Sequence, residues 1–110
     1  MLGNITLNFL ADVANPSTVT IAPNASADVT LTVPGANPDT DSIVNVEVAP
    51  DSMFDIGVAC LVAAWVSSKN TVKLRYFNLI PNTTSLNILT GKIFTLKISR
   101  CDNGFIADGL

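Results

Sequence analysis

Apolar and polar residues alternate along most of this chain. Val29, Leu31 and Val33 alternate with Asp28, Thr30 and Thr32, the period of two that turns one side of a strand to a core and the other to water. Pro34-Gly35-Ala36-Asn37-Pro38-Asp39 then predicts a turn-rich loop, because Pro withholds a ladder donor and Gly adopts backbone conformations closed to other residues. Val44, Val46 and Val48 repeat the alternation around Asn45 and Glu47, up to Pro50-Asp51. Residues 56–67 are apolar almost throughout, which predicts a central strand buried on both faces. Ser68-Lys69-Asn70 predicts a tight hairpin turn into residues 71–77, with Val72, Leu74 and Tyr76 on one face and Lys73 and Arg75 on the other. After the loop at 81–84, a short strand is expected at 86–89. Gly91 precedes residues 92–100, where Phe94, Leu96 and Ile98 alternate with Thr95, Lys97 and Ser99. Residues 18–22 supply one more strand. Roughly seven short strands without a helix, a repeat or a linker predict one all-β domain over residues 1–110, an antiparallel β-sandwich of jelly-roll-like character.

The two ends break the pattern. Leu2, Ile5, Leu7, Phe9 and Leu10 alternate only in part, and Ala14-Asn15-Pro16-Ser17 separates them from the first clear strand. Residues 1–15 therefore read either as a further strand of the sandwich or as an arm that docks on a neighbouring subunit. The tail 101–110 carries Phe105, Ile106 and Leu110 on a segment too short for a core element, and apolar side chains on such a segment suit ordering on a partner.

Composition bounds the chemistry. The chain has 110 residues, of which 48% are apolar and 14% charged, with a net charge of −3. That length suffices for one core without metals or disulfides. The charged share is below the ~25% of an average soluble domain, and Thr, Asn and Ser fill the deficit. A surface poor in charge is cheap to desolvate against neighbours, although Thr/Asn-rich strands alone account for such a composition. The start of the chain lacks a basic segment and a long apolar run, so it does not read as a secretory leader. The eleven positions 56–66 fall short of the ~20 needed to cross a bilayer. Cys60 reads as a small core hydrophobe and Cys101 as a near-surface residue; a bridge between them requires strands 58–66 and 93–100 to be neighbours, and a chain made and folded in cytosol favours free thiols. Trp65, on the same apolar segment as Cys60, is expected in the core. The Asn-x-Ser/Thr triplets at Asn4, Asn24 and Asn82 are chance matches in so Asn/Thr-rich a sequence.

Charge is sorted along the chain. Lys69, Lys73, Arg75, Lys92, Lys97 and Arg100 lie in a stretch without acids, while Asp12, Asp28, Asp39, Asp41, Glu47, Asp51 and Asp55 precede all of them. If strands 71–77 and 92–100 sit together, Lys73, Arg75 and Lys97 share a basic face. Such a molecule suits either head-to-tail self-association or neutralisation between neighbouring strands of one chain.

The sequence contains no histidine, so Ser-His-Asp and Cys-His arrangements are excluded, and two isolated cysteines make no ordinary zinc site. Asp39 and Asp41 stand in a Pro/Gly-rich turn, where Asp serves backbone capping, without further ligands at calcium-loop spacing. There is no phosphate-binding glycine loop. The few basic residues beside Tyr76 and Phe77 are a weak nucleic-acid signal in a chain of pI 4.4. The chain therefore reads as a module that binds and not as an enzyme.

A resemblance adds a partner. Val29-Thr30-Leu31-Thr32-Val33-Pro34-Gly35-Ala36, Asp41-Ser42-Ile43-Val44-Asn45-Val46, residues 63–78 around Ser67-Ser68-Lys69-Asn70-Thr71-Val72, and the closing Leu96-Lys97-Ile98-Ser99-Arg100 follow one another in this order. This pattern resembles that of small capsid decoration (cement) proteins of tailed bacteriophages. It covers about residues 29–100, and related modules occur in phage fibres. The resemblance implies a virion structural protein made in the host cytoplasm that binds the outside of the head and stabilises the major capsid protein shell. It implies no cofactor, no nucleic acid and no membrane, and suggests a homotrimer. The contact residues expected from this reading are Leu2, Ile5, Leu7 and Phe9 at one end and Phe105, Ile106 and Leu110 at the other. Lys73, Arg75 and Lys97 are expected against acidic partner surfaces. The alternative is a receptor- or glycan-binding module of a tail fibre or adhesin, which calls for exposed aromatics along a groove.

Overall fold

A computed structural model describes residues 5–48, 59–79 and 85–102, with backbone alone at Ile5 and Asp102. Eight strands run through them: β1 (Ile5–Ala14), β2 (Val19–Ile21), β3 (Ser26–Thr32), β4 (Asp41–Val48), β5 (Ala59–Ser68), β6 (Thr71–Asn78), β7 (Leu86–Ile88) and β8 (Ile93–Asp102). No helix occurs among the described residues, and the chain is all-β. Two three-stranded sheets, β1-β8-β4 and β3-β6-β5, and a two-stranded ribbon, β2-β7, share one core. Every strand pair is antiparallel, so the architecture is an antiparallel sandwich.

The alternation read from the sequence builds that core. Phe94, Leu96 and Ile98 of β8 face Val72, Leu74 and Tyr76 of β6, with Val29 and Leu31 of β3 beside them. The rings of Tyr76 and Phe94 lie 6.3 Å apart across the sheets, tilted by 43°. Ile21, Leu86 and Ile88 extend the core beneath the ribbon. Each such side chain contributes about 1.5–3 kcal/mol by leaving water.

Two buried asparagines fix the ribbon. Asn78, fully buried at the end of β6, donates from Nδ2 to the Ile21 carbonyl (3.1 Å), and its backbone N–H donates to the Ala25 carbonyl (2.9 Å). Asn15 donates from Nδ2 to the carbonyls of Ile88 and Leu89 at 3.1 and 3.0 Å. Its backbone N–H bonds the Lys92 carbonyl and its own carbonyl accepts from Gly91, both at 2.8 Å. Buried amides with all these partners cost little, and they join segments far apart in sequence.

The hairpin at Lys69-Asn70 forms as expected. Asn70 takes the left-handed conformation (φ 65°), which Asn tolerates better than most residues. The ladder shifts by one residue between Val66 and Ser68, a bulge that keeps the turn compatible with strand twist.

Several expectations change. Of residues 1–15, the first four lie outside the described residues, and 5–14 form no detached arm: β1 pairs with β8 over all ten of its residues. The apolar run begun at Ile56, of which 56–58 lie outside the described residues, is not a strand buried on both faces. Its described part, β5, is an edge strand in which Leu61 and Val62 are exposed. A long apolar run signals two covered faces only where another layer lies on each side, and here one side is open. Cys60 accordingly is exposed instead of packed in the core, and Cys101 is half-buried. They lie in separate sheets and form no disulfide.

Phe94 is the largest fully buried side chain among the described residues, so Phe94→Ala should lower stability by about 3–5 kcal/mol. Chemical denaturation followed by far-UV circular dichroism checks this. A loss below about 1 kcal/mol would place Phe94 outside the cooperative core.

Candidate interaction surfaces

One end of the sandwich is closed by a polar knot. Asp41 opens β4 with its side chain wholly buried, and Arg100, opposite it on β8, clamps it with two bonds: Nε to Oδ1 at 2.7 Å and Nη2 to Oδ2 at 2.8 Å. The carboxylate also accepts from the Asn37 backbone N–H (3.0 Å) and the Thr40 hydroxyl (2.9 Å). Arg100 Nη2 reaches on to the Gly35 carbonyl (2.7 Å). The Gly35 N–H donates to the side-chain oxygen of Asn70 (2.8 Å), and the Asn70 N–H donates to the Ala36 carbonyl (2.8 Å). The Arg100 hydrogen bonds, opposed by burial and helped by those from Asn37 and Thr40, hold the Asp41 carboxyl down at about 2. The Asp in the loop thus serves loop closure, as its turn position predicts.

The predicted basic face does not form. Lys73 and Arg75 lie on the outer side of β6, whereas Lys97 lies on β8 in the opposite sheet. Arg75 is engaged with its cross-strand partner Asp28, Nε to Oδ1 at 2.8 Å and Nη2 to Oδ2 at 3.1 Å. That bond lowers the Asp28 pKa. Trp65 is half-buried on this same outer face instead of in the core, with the Arg75 guanidinium 5.1 Å from its ring centre.

Of the expected end residues, Leu7 and Phe9 are exposed on β1 at 55% and 37%. The Arg100 guanidinium lies 5.2 Å from the Phe9 ring centre. Ile5 lies in β1, opposite Asp102, and its side chain is outside the described residues. Leu2, Phe105, Ile106 and Leu110 also lie outside them.

The remaining apolar surface was not anticipated. Leu10 is 70% exposed, Val44 56% and Val62 59%. Val44 and Val62 sit at ladder shifts in β4 and β5, between Ile43 and Asn45 and between Leu61 and Ala63. These two strands border an open cleft of about 260 Å³, lined by residues 43–46 and 61–64. The signal in the sequence is the apolar doublet. In a strand, adjacent side chains point to opposite faces, so Phe9-Leu10, Ile43-Val44 and Leu61-Val62 must each expose one member if the other faces the core.

Asp41 provides a pH signature. Its carboxyl titrates lower in the folded chain than the ordinary 3.8, so its contribution is complete above about pH 4 and disappears as pH falls toward 2. Asp41→Asn should cost about 2–3 kcal/mol at neutral pH, somewhat below a fully buried pair because Arg100 is partly exposed. Denaturation midpoints measured from pH 7 to pH 2 should fall less steeply at the acid end for Asp41→Asn than for the native chain. Parallel curves would show that Asp41 is not held in this way. Comparison of the chain with known protein families, curated proteins and solved structures finds no match.

Proposed function

We propose that this chain is a non-catalytic structural module of a tailed-phage virion, a decoration protein that binds the outside of the head and braces the major capsid protein shell. The observation that supports it most is where the residues of the resemblance meet. Gly35, Ala36, Asp41, Asn70 and Arg100 come from four separate segments of that pattern, and all belong to the knot at one end of the sandwich. Residues of the pattern thus cooperate in closing this sandwich, which supports reading them as one signature instead of a scatter of Val/Thr alternation. The molecular surface suits the role. Exposed apolar side chains gather at Leu7, Phe9 and Leu10 on β1 and around the cleft between β4 and β5, and covering them favours association. Tyr76, the one tyrosine, is buried and its pKa is pushed up to about 12, so it stays protonated and is no general base.

In this reading the cleft with Val44, Leu61 and Val62 faces the shell. Purified protein added to phage heads that lack it should bind to saturation at a fixed copy number and raise the temperature at which the heads lose DNA. Val62→Asp should weaken that binding by roughly tenfold or more with the fold intact. Deleting residues 1–10 is a poor probe, since it would remove six of the ten residues of β1. Binding that never saturates would refute the decoration role. Binding to host-surface glycans instead of heads would favour the fibre or adhesin module.

A further inference from the structure

The four outer strands of the two sheets are not equally protected. An edge strand presents unpaired N–H and C=O groups, and chains blunt such edges with bulges, charges or Pro. Among the described residues, β4 and β5 carry bulges at Val44 and Val62, and β3 turns Ser26, Asp28, Thr30 and Thr32 outward. Strand β1 has neither a bulge nor Pro, and it carries a single charge near its end. It runs ten residues in unbroken register with β8, without Pro, Lys, Arg or a bulge, and Asp12 is its one charge. The Asp12 carboxylate accepts from the Thr95 hydroxyl on β8 at 2.6 Å. On this edge Leu7, Phe9 and Leu10 are exposed.

The hydrogen bonds fix which groups face outward. Asn15, just past β1, directs both its N–H and its C=O toward the β8 side, to Lys92 and Gly91. Backbone direction alternates along a strand. Val13, Ala11, Phe9 and Leu7 therefore also point to β8, and Thr6, Asn8, Leu10, Asp12 and Ala14 point away from it. The bond from the Cys101 N–H to the Thr40 carbonyl, on the β4 side of β8, agrees with this parity. No strand among the described residues takes up that outward row.

We propose that β1 pairs antiparallel with β1 of a second copy, about a two-fold axis at Phe9, fusing two three-stranded sheets into one of six strands. The edge is complementary to itself in that register. Phe9 faces Phe9 of the second copy and Leu7 faces Ala11 on one side of the sheet. On the other side Leu10 faces Asn8 and Asp12 faces Thr6. Residues with outward groups, Asn8 with Leu10 and Thr6 with Asp12, fall opposite one another as hydrogen-bonded pairs, so the row is satisfied by an identical row. The two Asp12 carboxylates lie about 20 Å apart at ~3.3 Å per residue, beyond the screening length at physiological salt. Two copies, each of net charge −3, thus meet along a strip where like charges do not oppose. The closed two-fold contact stands in place of the three-fold assembly that the resemblance suggests, and it does not depend on binding to a phage head.

Sedimentation equilibrium of the purified full chain tests this directly. The expected mass is twice the 11.6 kDa of one chain. Leu10→Lys and Leu10→Pro should each return it to one chain mass while far-UV circular dichroism keeps its strand signal. Leu10→Pro deletes only an N–H that points away from β8, and Leu10→Lys carries the test if the Pro variant does not fold. A Phe9→Cys variant in a Cys60→Ser, Cys101→Ser background should form a disulfide-linked dimer on oxidation, because Phe9 lies at a non-hydrogen-bonded pair with Cα atoms about 4.5 Å apart. A single chain mass up to the solubility limit, a mass of three chains, or a double mass unmoved by Leu10→Lys would overturn the proposal.

Discussion

The carboxylate of Asp41 accepts hydrogen bonds from Nε and Nη2 of Arg100 with no exposed side-chain surface of its own, and the two sheets keep their relation at that end because of it. A buried carboxylate loses its hydration, which bidentate pairing offsets only when the remaining lone pairs are also filled. Asn37 and Thr40 fill them. Arg100 then spans from the β1-β8-β4 sheet to the Gly35 carbonyl, and Asn70 ties Gly35 and Ala36 to the β5–β6 hairpin. Apolar contact between sheets is non-directional and tolerates repacking. The knot at one end, and Asn15 and Asn78 at the ribbon, supply the directional bonds that choose one arrangement.

A second constraint is parity. Strict alternation gives each strand one dry face, and an apolar doublet violates it. The chain resolves Ile43-Val44 and Leu61-Val62 with bulges that let Ile43 and Ala64 pack against the core while Val44 and Val62 project. Phe9-Leu10 is resolved without a bulge, so β1 stays straight and both residues show apolar surface to water. The same local pattern thus yields a blunted edge in two strands and an open one in the third.

Alternation made most of the fold legible, because Val29 with Leu31, Val72 with Leu74 and Phe94 with Leu96 each report a buried face through local spacing alone. The hairpin at Asn70 was legible for a similar reason: turn chemistry is local. What could not be read is which strands neighbour one another. Lys73 and Lys97 have the same outward periodicity, and nothing near either says that they lie in opposite sheets. The run through Cys60 and Trp65 reports apolarity without reporting that β5 sits at an edge, and Trp65 faces outward beneath an Arg75 supplied by the adjacent strand. The Asp41–Arg100 clamp joins residues 59 positions apart. From the sequence Asp41 shows only its turn position, and Arg100 only the end of a strand.

Pairing also explains the sorted charge. Acids gather early in the chain and bases late, and the topology sets β3 against β6 and β4 against β8. Asp28 thereby meets Arg75, and Asp41 meets Arg100. For these two pairs, sorting along the sequence is the linear image of cross-strand neutralisation in a molecule whose early strands pair with its late ones. The exposed pair contributes little to stability, yet it removes charge from the outer face of β6. Besides exposed charges such as Glu47 and Lys97, the described surface shows backbone at an open edge and apolar side chains next to it. Contacts built from that backbone and those apolar side chains are short-ranged and depend weakly on salt. Under the proposed structural role they would select a partner by strand register and shape.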